Sequence, residues 1–168
     1  MREELLVLRQ RIEAELRNIE RTARRAQGAW EGAKRFPKQQ DYYLDSVALN
    51  LHSFYNGVER VFEAIARQLD PAFPTGERWH RDLLKQMVKE VPEVRPAVIA
   101  ERTEALLDDF LAFRHRIRSL YAFHLDPERL KVLVERLPEA LSQVEQDLGS
   151  FCQLLAAAAS EEEGKARS

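Results

Sequence analysis

Apolar residues recur at spacings of three and four through most of this chain, the repeat of one face of an α-helix. In the first segment the stripe is Leu5, Leu8, Ile12, Leu16, Ile19, Ala23, Ala26 and Trp30, which predicts a helix from roughly Arg2 to Arg35. Phe36-Pro37 ends it, because the residue before a proline avoids helical geometry. A second stripe, Leu44, Val47, Leu51, Phe54, Val58, Val61, Ile65 and Leu69, predicts a helix from about Asp41 to Leu69. Asp70-Pro71 closes it, and Pro74-Thr75-Gly76 makes a turn. A short helix, about Arg78 to Lys89, follows, after which Val91-Pro92 and Arg95-Pro96 interrupt the chain. The third long helix is expected from about Ala97 to Phe123, with Ile99, Leu106, Phe110, Phe113, Ile117 and Leu120 turned inward. Asp126-Pro127-Glu128 reads as the N-cap and first turn of the last helix. That helix is expected to reach about Ala158, with a bend near Pro138. The polar residues 160–168 read as a disordered tail, leaving 1–159 as one helical domain. The elements together predict an all-α, antiparallel four-helix bundle with an additional short helix.

Composition agrees with this reading and narrows the function. Hydrophobic residues at 45% and charges at 32% of 168 residues describe a chain that can bury a core. No apolar run reaches the roughly 18 residues of a membrane span. A single cysteine, Cys152, excludes an intrachain disulfide and suits a reducing, cytoplasmic setting. The net charge of −2 exerts no global pull on nucleic acid, so any such site must be a local patch. Arginine outnumbers lysine twenty to six, which fits phosphate contact as it fits a GC-rich or heat-adapted source.

The local patch exists. Between Glu101 and Asp109 the chain holds four acids; from Arg114 to Asp126 it turns basic, with Arg114, His115, Arg116, Arg118, Tyr121 and His124. On a continuous helix, Arg114, Arg118 and Tyr121 at i, i+4 and i+7 would share one face. Guanidinium groups bind phosphate through paired N–H donors and stabilise charge that grows on a phosphorane. The same face could equally be a solvated surface with ordinary ion pairs. Of the four histidines, none has the spacing of a metal pair, so no metal is expected. His52 reads as a packed, hydrogen-bonded residue and His80 as part of a helix start. His115 and His124 flank the basic face and could act as a base. Arg21, Arg24 and Arg25 form a second basic cluster that reads as a solvated face. The chain has no glycine-rich phosphate loop, no Gly-x-Ser-x-Gly elbow and no Cys/His pair, and no cofactor is implied.

These residues resemble the HepT-like toxin ribonucleases of the HEPN superfamily, whose signature is Arg, four residues, His, one residue, Tyr. Arg114, Ser119 and Tyr121 fall on that frame, flanked by Phe113-Arg114-His115 and Leu125-Asp126. The stretch from Tyr43 to Phe62 and Trp79-His80-Arg81-Asp82-Leu83-Leu84 are similar too, so the likeness covers roughly Asp41 to Leu130. It implies a HEPN-type bundle that forms a homodimer, with the signature helices of both chains facing one RNA groove. It implies metal-independent RNA cleavage, with Arg114 on the scissile phosphate and Arg116 and Arg118 adding to RNA binding. It also implies a partner, a minimal nucleotidyltransferase antitoxin that silences the toxin by adding AMP to Tyr121.

The chain departs from the signature at Ser119, which stands where the family has histidine. A hydroxyl does not titrate near neutrality and cannot shuttle a proton as imidazole does. His115, one turn back, is the expected substitute, and the spacing Arg118, five residues, His124 is a second frame. In the alternative reading the chain is a degenerate module that binds RNA or its nucleotidyltransferase without cutting. Glu59 or Glu63 on the second helix is the expected partner that orients Arg114.

Overall fold

A computed structural model of the chain describes residues 1–121 and 124–167. The first stripe forms α1 (Arg2–Arg35), which stops at Phe36-Pro37 as expected, and a single 3₁₀ turn (Pro37–Gln39) leads into α2 (Gln40–Leu69). The short helix is α3 (Trp79–Val88). It is followed by α4 (Glu101–Ile117) and α5 (Pro127–Arg167). The described residues contain no β-strand, only an isolated antiparallel bridge between Val91 and Arg95.

Helix α1 packs along both α2 and α5, α4 closes the ring between α2 and α5, and α3 lies across α2 and α4. Each neighbouring pair around the ring runs antiparallel. Gln68 donates to the Glu4 carbonyl at one end of α1 and α2, and Tyr43 lies against Gly32 at the other. Arg102 pairs with Glu139, and Arg136 with Asp109, along α4 and α5. The apolar stripes meet in one core whose fully buried side chains include Ile12, Leu51, Phe54, Ile65, Phe110 and Leu137. The fold is therefore the all-α antiparallel bundle with an extra short helix.

Two devices set where α4 begins and how it sits. Ala100 supplies no side-chain cap, so the start of α4 is held from α5: Asp147 accepts the Ala100 N–H at 3.1 Å and the Thr103 hydroxyl. The preceding loop is pinned by Arg95, whose side chain is 1% exposed and whose Nε is 2.6 Å from Asp70, at the end of α2. Its Nη1 donates to the Lys89 and Pro96 carbonyls and its Nη2 to the second Asp70 oxygen and the Gln86 carbonyl, so the buried guanidinium is satisfied as burial requires.

The helix boundaries depart from the pattern in three places, the first being the start of α4 at Glu101 instead of about Ala97, where the Asp147 contacts hold it. α4 ends at Ile117, not Phe123; Arg118 and Ser119 form a turn, and Ala122 and Phe123 lie outside the described residues. The reason is packing. Residues 118–121 are all exposed, Leu120 included at 38%, so no core contact sustains another helical turn. The Ser119 hydroxyl donates instead to the Arg116 carbonyl at 3.1 Å, a local bond that competes with the helix. At the other end, α5 continues through the segment read as a disordered tail, as far as Arg167. Glu161–Glu163 are good helix formers, and Glu163 pairs with Arg2 of α1 at 2.7 Å. Pro138 sits within α5 without ending it.

Candidate functional site: a guanidinium cluster between two helices

Arg114 lies in the last turn of α4 and reaches across to α2. Its Nε–H donates to Asn56 Oδ1 at 2.8 Å, and Nη2 is 3.7 Å from Glu59 Oε1. The second Glu59 oxygen accepts from His80 Nδ1, on the first turn of α3, at 2.7 Å. Because the carboxylate only accepts, the Nδ1 of His80 carries the proton. The His80 ring in turn stacks on Trp79, with centroids 3.6 Å apart. Three helices thus hold one guanidinium. Glu59 is 5% exposed and Arg114 retains only a narrow accessible edge, so this pair is far less screened than a surface ion pair. Of the two expected orienting acids, Glu59 holds Arg114, while Glu63 pairs with Arg67.

Beside this clamp is a shallow pocket of about 290 Å³. Its walls are apolar (Ala48, Leu49, Ile117, Leu120 and Leu125), and its polar groups are Asp45, His52, Arg118 and Tyr121. Arg118 is exposed, and Tyr121 is 70% exposed at the mouth. The loop geometry brings Arg118 and Tyr121 to one pocket even though they share no helix.

The sequence-expected residues divide between inside and outside this site. Arg114, Arg118 and Tyr121 belong to it. Ser119 is exposed and turned back on the Arg116 carbonyl. His115 follows Arg114 by one residue, about 100° round the helix, and is exposed outside the pocket walls, as is Arg116. His124 lies edge-on to the Tyr121 ring, centroids 6.0 Å apart.

Residues not expected here complete the site. His52 is not the hydrogen-bonded packing residue anticipated: it lines the pocket, and its Nδ1 is buried with no hydrogen-bond partner among the described residues. Burial first, then the guanidiniums of Arg114 and Arg118, push its pKa below the ordinary value of 6.5. His80, expected only to start a helix, completes the Arg114 clamp. A signal was present for His52 and Asn56: with Glu59 they fall at i, i+4 and i+7 on α2, a polar stripe along one face of the helix.

Elsewhere, Cys152 is buried and its thiol is pushed up to about 11, by burial and then by the Glu13 charge, so it is no nucleophile at neutral pH. No helix among the described residues is long and apolar enough to cross a membrane.

No curated protein and no solved structure matches the chain. A family model described as HepT-like protein does match, over residues 46–155, which takes in most of α2, all of α3 and α4 and most of α5, with the whole Arg114 clamp. The chain belongs to the HepT-like family.

Proposed function

We propose that this protein is the toxin component of a type VII toxin–antitoxin pair and an endoribonuclease that works without a metal. The observation that carries the reading is the Arg114 clamp: Asn56, Glu59 and His80 fix a guanidinium next to an exposed Arg118 and Tyr121. Such an arrangement suits an RNA phosphate, because fixed donors need no reorganisation as charge builds on the phosphorane. Arg118 and Arg116, both exposed, extend the positive surface along the strand. Tyr121 presents its phenol at the pocket mouth, where a nucleotidyltransferase antitoxin could attach AMP and block RNA. The apolar surface around it, with Leu49 63% and Leu120 38% exposed, suits a second copy of the chain, so that two pockets flank one groove. Such a pair would act in the cytoplasm.

The second reading, a module that binds RNA or the nucleotidyltransferase without cutting, is favoured by one observation: no imidazole stands at position 119, and the Ser119 hydroxyl is engaged with backbone.

The test is cleavage of mixed RNA in EDTA by the wild-type protein, Arg114→Ala and Ser119→His, each confirmed folded by circular dichroism. Wild type is expected to cut, and Arg114→Ala to lose about 10²–10³-fold, the usual effect of deleting one transition-state donor. Undiminished cutting by Arg114→Ala would remove Arg114 from the chemistry. Cutting by Ser119→His alone would establish the binding-module reading.

A further inference from the structure

We propose that His52, on α2, supplies the proton-accepting imidazole that the signature position, Ser119 in the turn after α4, lacks. The inference rests on the ribonuclease reading and deepens it. Three observations converge on this residue. His52 lines the pocket that Arg118 and Tyr121 also line. On the same face of α2, one and two turns further along, Asn56 and Glu59 hold Arg114, so the ring lies next to the guanidinium cluster. Its Nδ1 is buried and unpartnered, which leaves Nε2 as the nitrogen able to exchange a proton with a bound group.

The charged and titratable groups about the ring are Asp45 on its own helix, Arg114 and Arg118 from α4, and Tyr121 from the connection to α5. Burial against the apolar walls, and then the two guanidiniums, disfavour the imidazolium, so His52 stands neutral at physiological pH, the state a base needs. Two of the other histidines are less well placed. His115 is outside the pocket, and His80 has its Nδ1 committed to Glu59.

The step balances without metal or cofactor. His52 Nε2 takes the proton of the RNA 2′-hydroxyl. The 2′-oxygen forms a bond to phosphorus while the bond from phosphorus to the 5′-oxygen breaks. Arg118 and the anchored Arg114 face the negative charge that grows on the phosphoryl oxygens. The 5′-oxygen leaves with a proton from solvent, the imidazolium returns its proton to water, and the products are a 2′,3′-cyclic phosphate and a 5′-hydroxyl end.

The experiment measures single-turnover cleavage of an RNA oligonucleotide in EDTA by wild type, His52→Gln, His52→Ala, His115→Gln, His124→Gln and Ser119→His. RNA binding is followed in parallel by fluorescence anisotropy. His52→Gln is expected to cut about 10²–10⁴-fold more slowly, the usual worth of a general base, while binding RNA within about twofold of wild type. Free imidazole is expected to restore part of the rate to His52→Ala, a rescue that a merely structural histidine would not show. A base works only when neutral, so the wild-type rate should rise with pH through a midpoint below 6.5 and then level off, and the limb should vanish in His52→Gln. Wild-type cutting with an unaffected His52→Gln, or a loss in His115→Gln or His124→Gln instead, overturns the assignment and leaves the ribonuclease standing. Cutting by Ser119→His alone shows that His52 is no working base. If no protein cuts, the ribonuclease reading falls and the role of His52 with it.

Discussion

At the residue scale, the site depends on one buried carboxylate. Glu59 faces a guanidinium from α4 and an imidazole from α3, and it is 5% exposed. Removing one partner of a buried pair leaves the other charged and desolvated, which costs more than the pair itself contributes. Glu59→Ala should therefore destabilise the fold by about 3 kcal/mol, the low end for a broken buried pair because Arg114 keeps an accessible edge. Urea unfolding checks this, and a loss below about 1 kcal/mol, the range of exposed pairs, would show that Arg114 does not need its partner. Arg102–Glu139 and Arg136–Asp109 are the internal comparison: both are substantially exposed, and their removal should lie within that smaller range. Of the clamp, Arg114 was legible in the sequence through its signature frame and Glu59 as one of two candidates. His80 was not, since nothing local links it to a carboxylate 21 residues earlier.

At the element scale, the close approach of α1 and α2 is set by a missing side chain. A Cβ at Gly57 would lie 2.7 Å from Ile19 Cγ1, inside van der Waals contact and against a branched, core-packed carbon. Gly149, in the interior of α5, has no neighbour within 4 Å of the same construction. The two glycines thus predict opposite outcomes for the same substitution. Gly149→Ala should stabilise the protein by about 0.5–1 kcal/mol, the helix-propensity gain alone. Gly57→Ala gains the same propensity but overpacks the helix contact by about 1–3 kcal/mol, so it should lower stability. Chemical unfolding of both variants decides it; equal signs would mean that α1 can move away from α2 freely. The sequence pattern contains both glycines but does not distinguish them, because the difference lies in what the neighbouring helix presents.

At the scale of the whole molecule, the pocket face is where charge and exposed apolar surface coincide. Leu49 and Tyr121 are mostly exposed there, beside Arg118. Homodimerisation over this face predicts that wild type sediments at twice the monomer mass and Leu49→Glu at the monomer mass. Folding should be unaffected, since position 49 buries little in the monomer. A Leu49→Glu protein that remains dimeric would place the interface elsewhere. The same variant should retain the Arg114 clamp, but Leu49 also lines the pocket, so the sedimentation result and not RNA cleavage reports on the interface.

The sequence by itself determined the helices, most of their ends and the family. Apolar periodicity, proline and capping residues act within a few residues, so they are readable along the chain. The signature resemblance singled out Arg114, Ser119 and Tyr121 as candidate positions without any coordinates. Only the tertiary structure decided where α4 stops, because that depends on whether the core offers its next turn anything to bury. It also decided which polar groups meet. Asn56 and Arg114 are 58 residues apart, and His52 gains its surroundings from another helix. Those contacts are set by how antiparallel helices register against one another, a sum of packing across the bundle that local spacing does not encode.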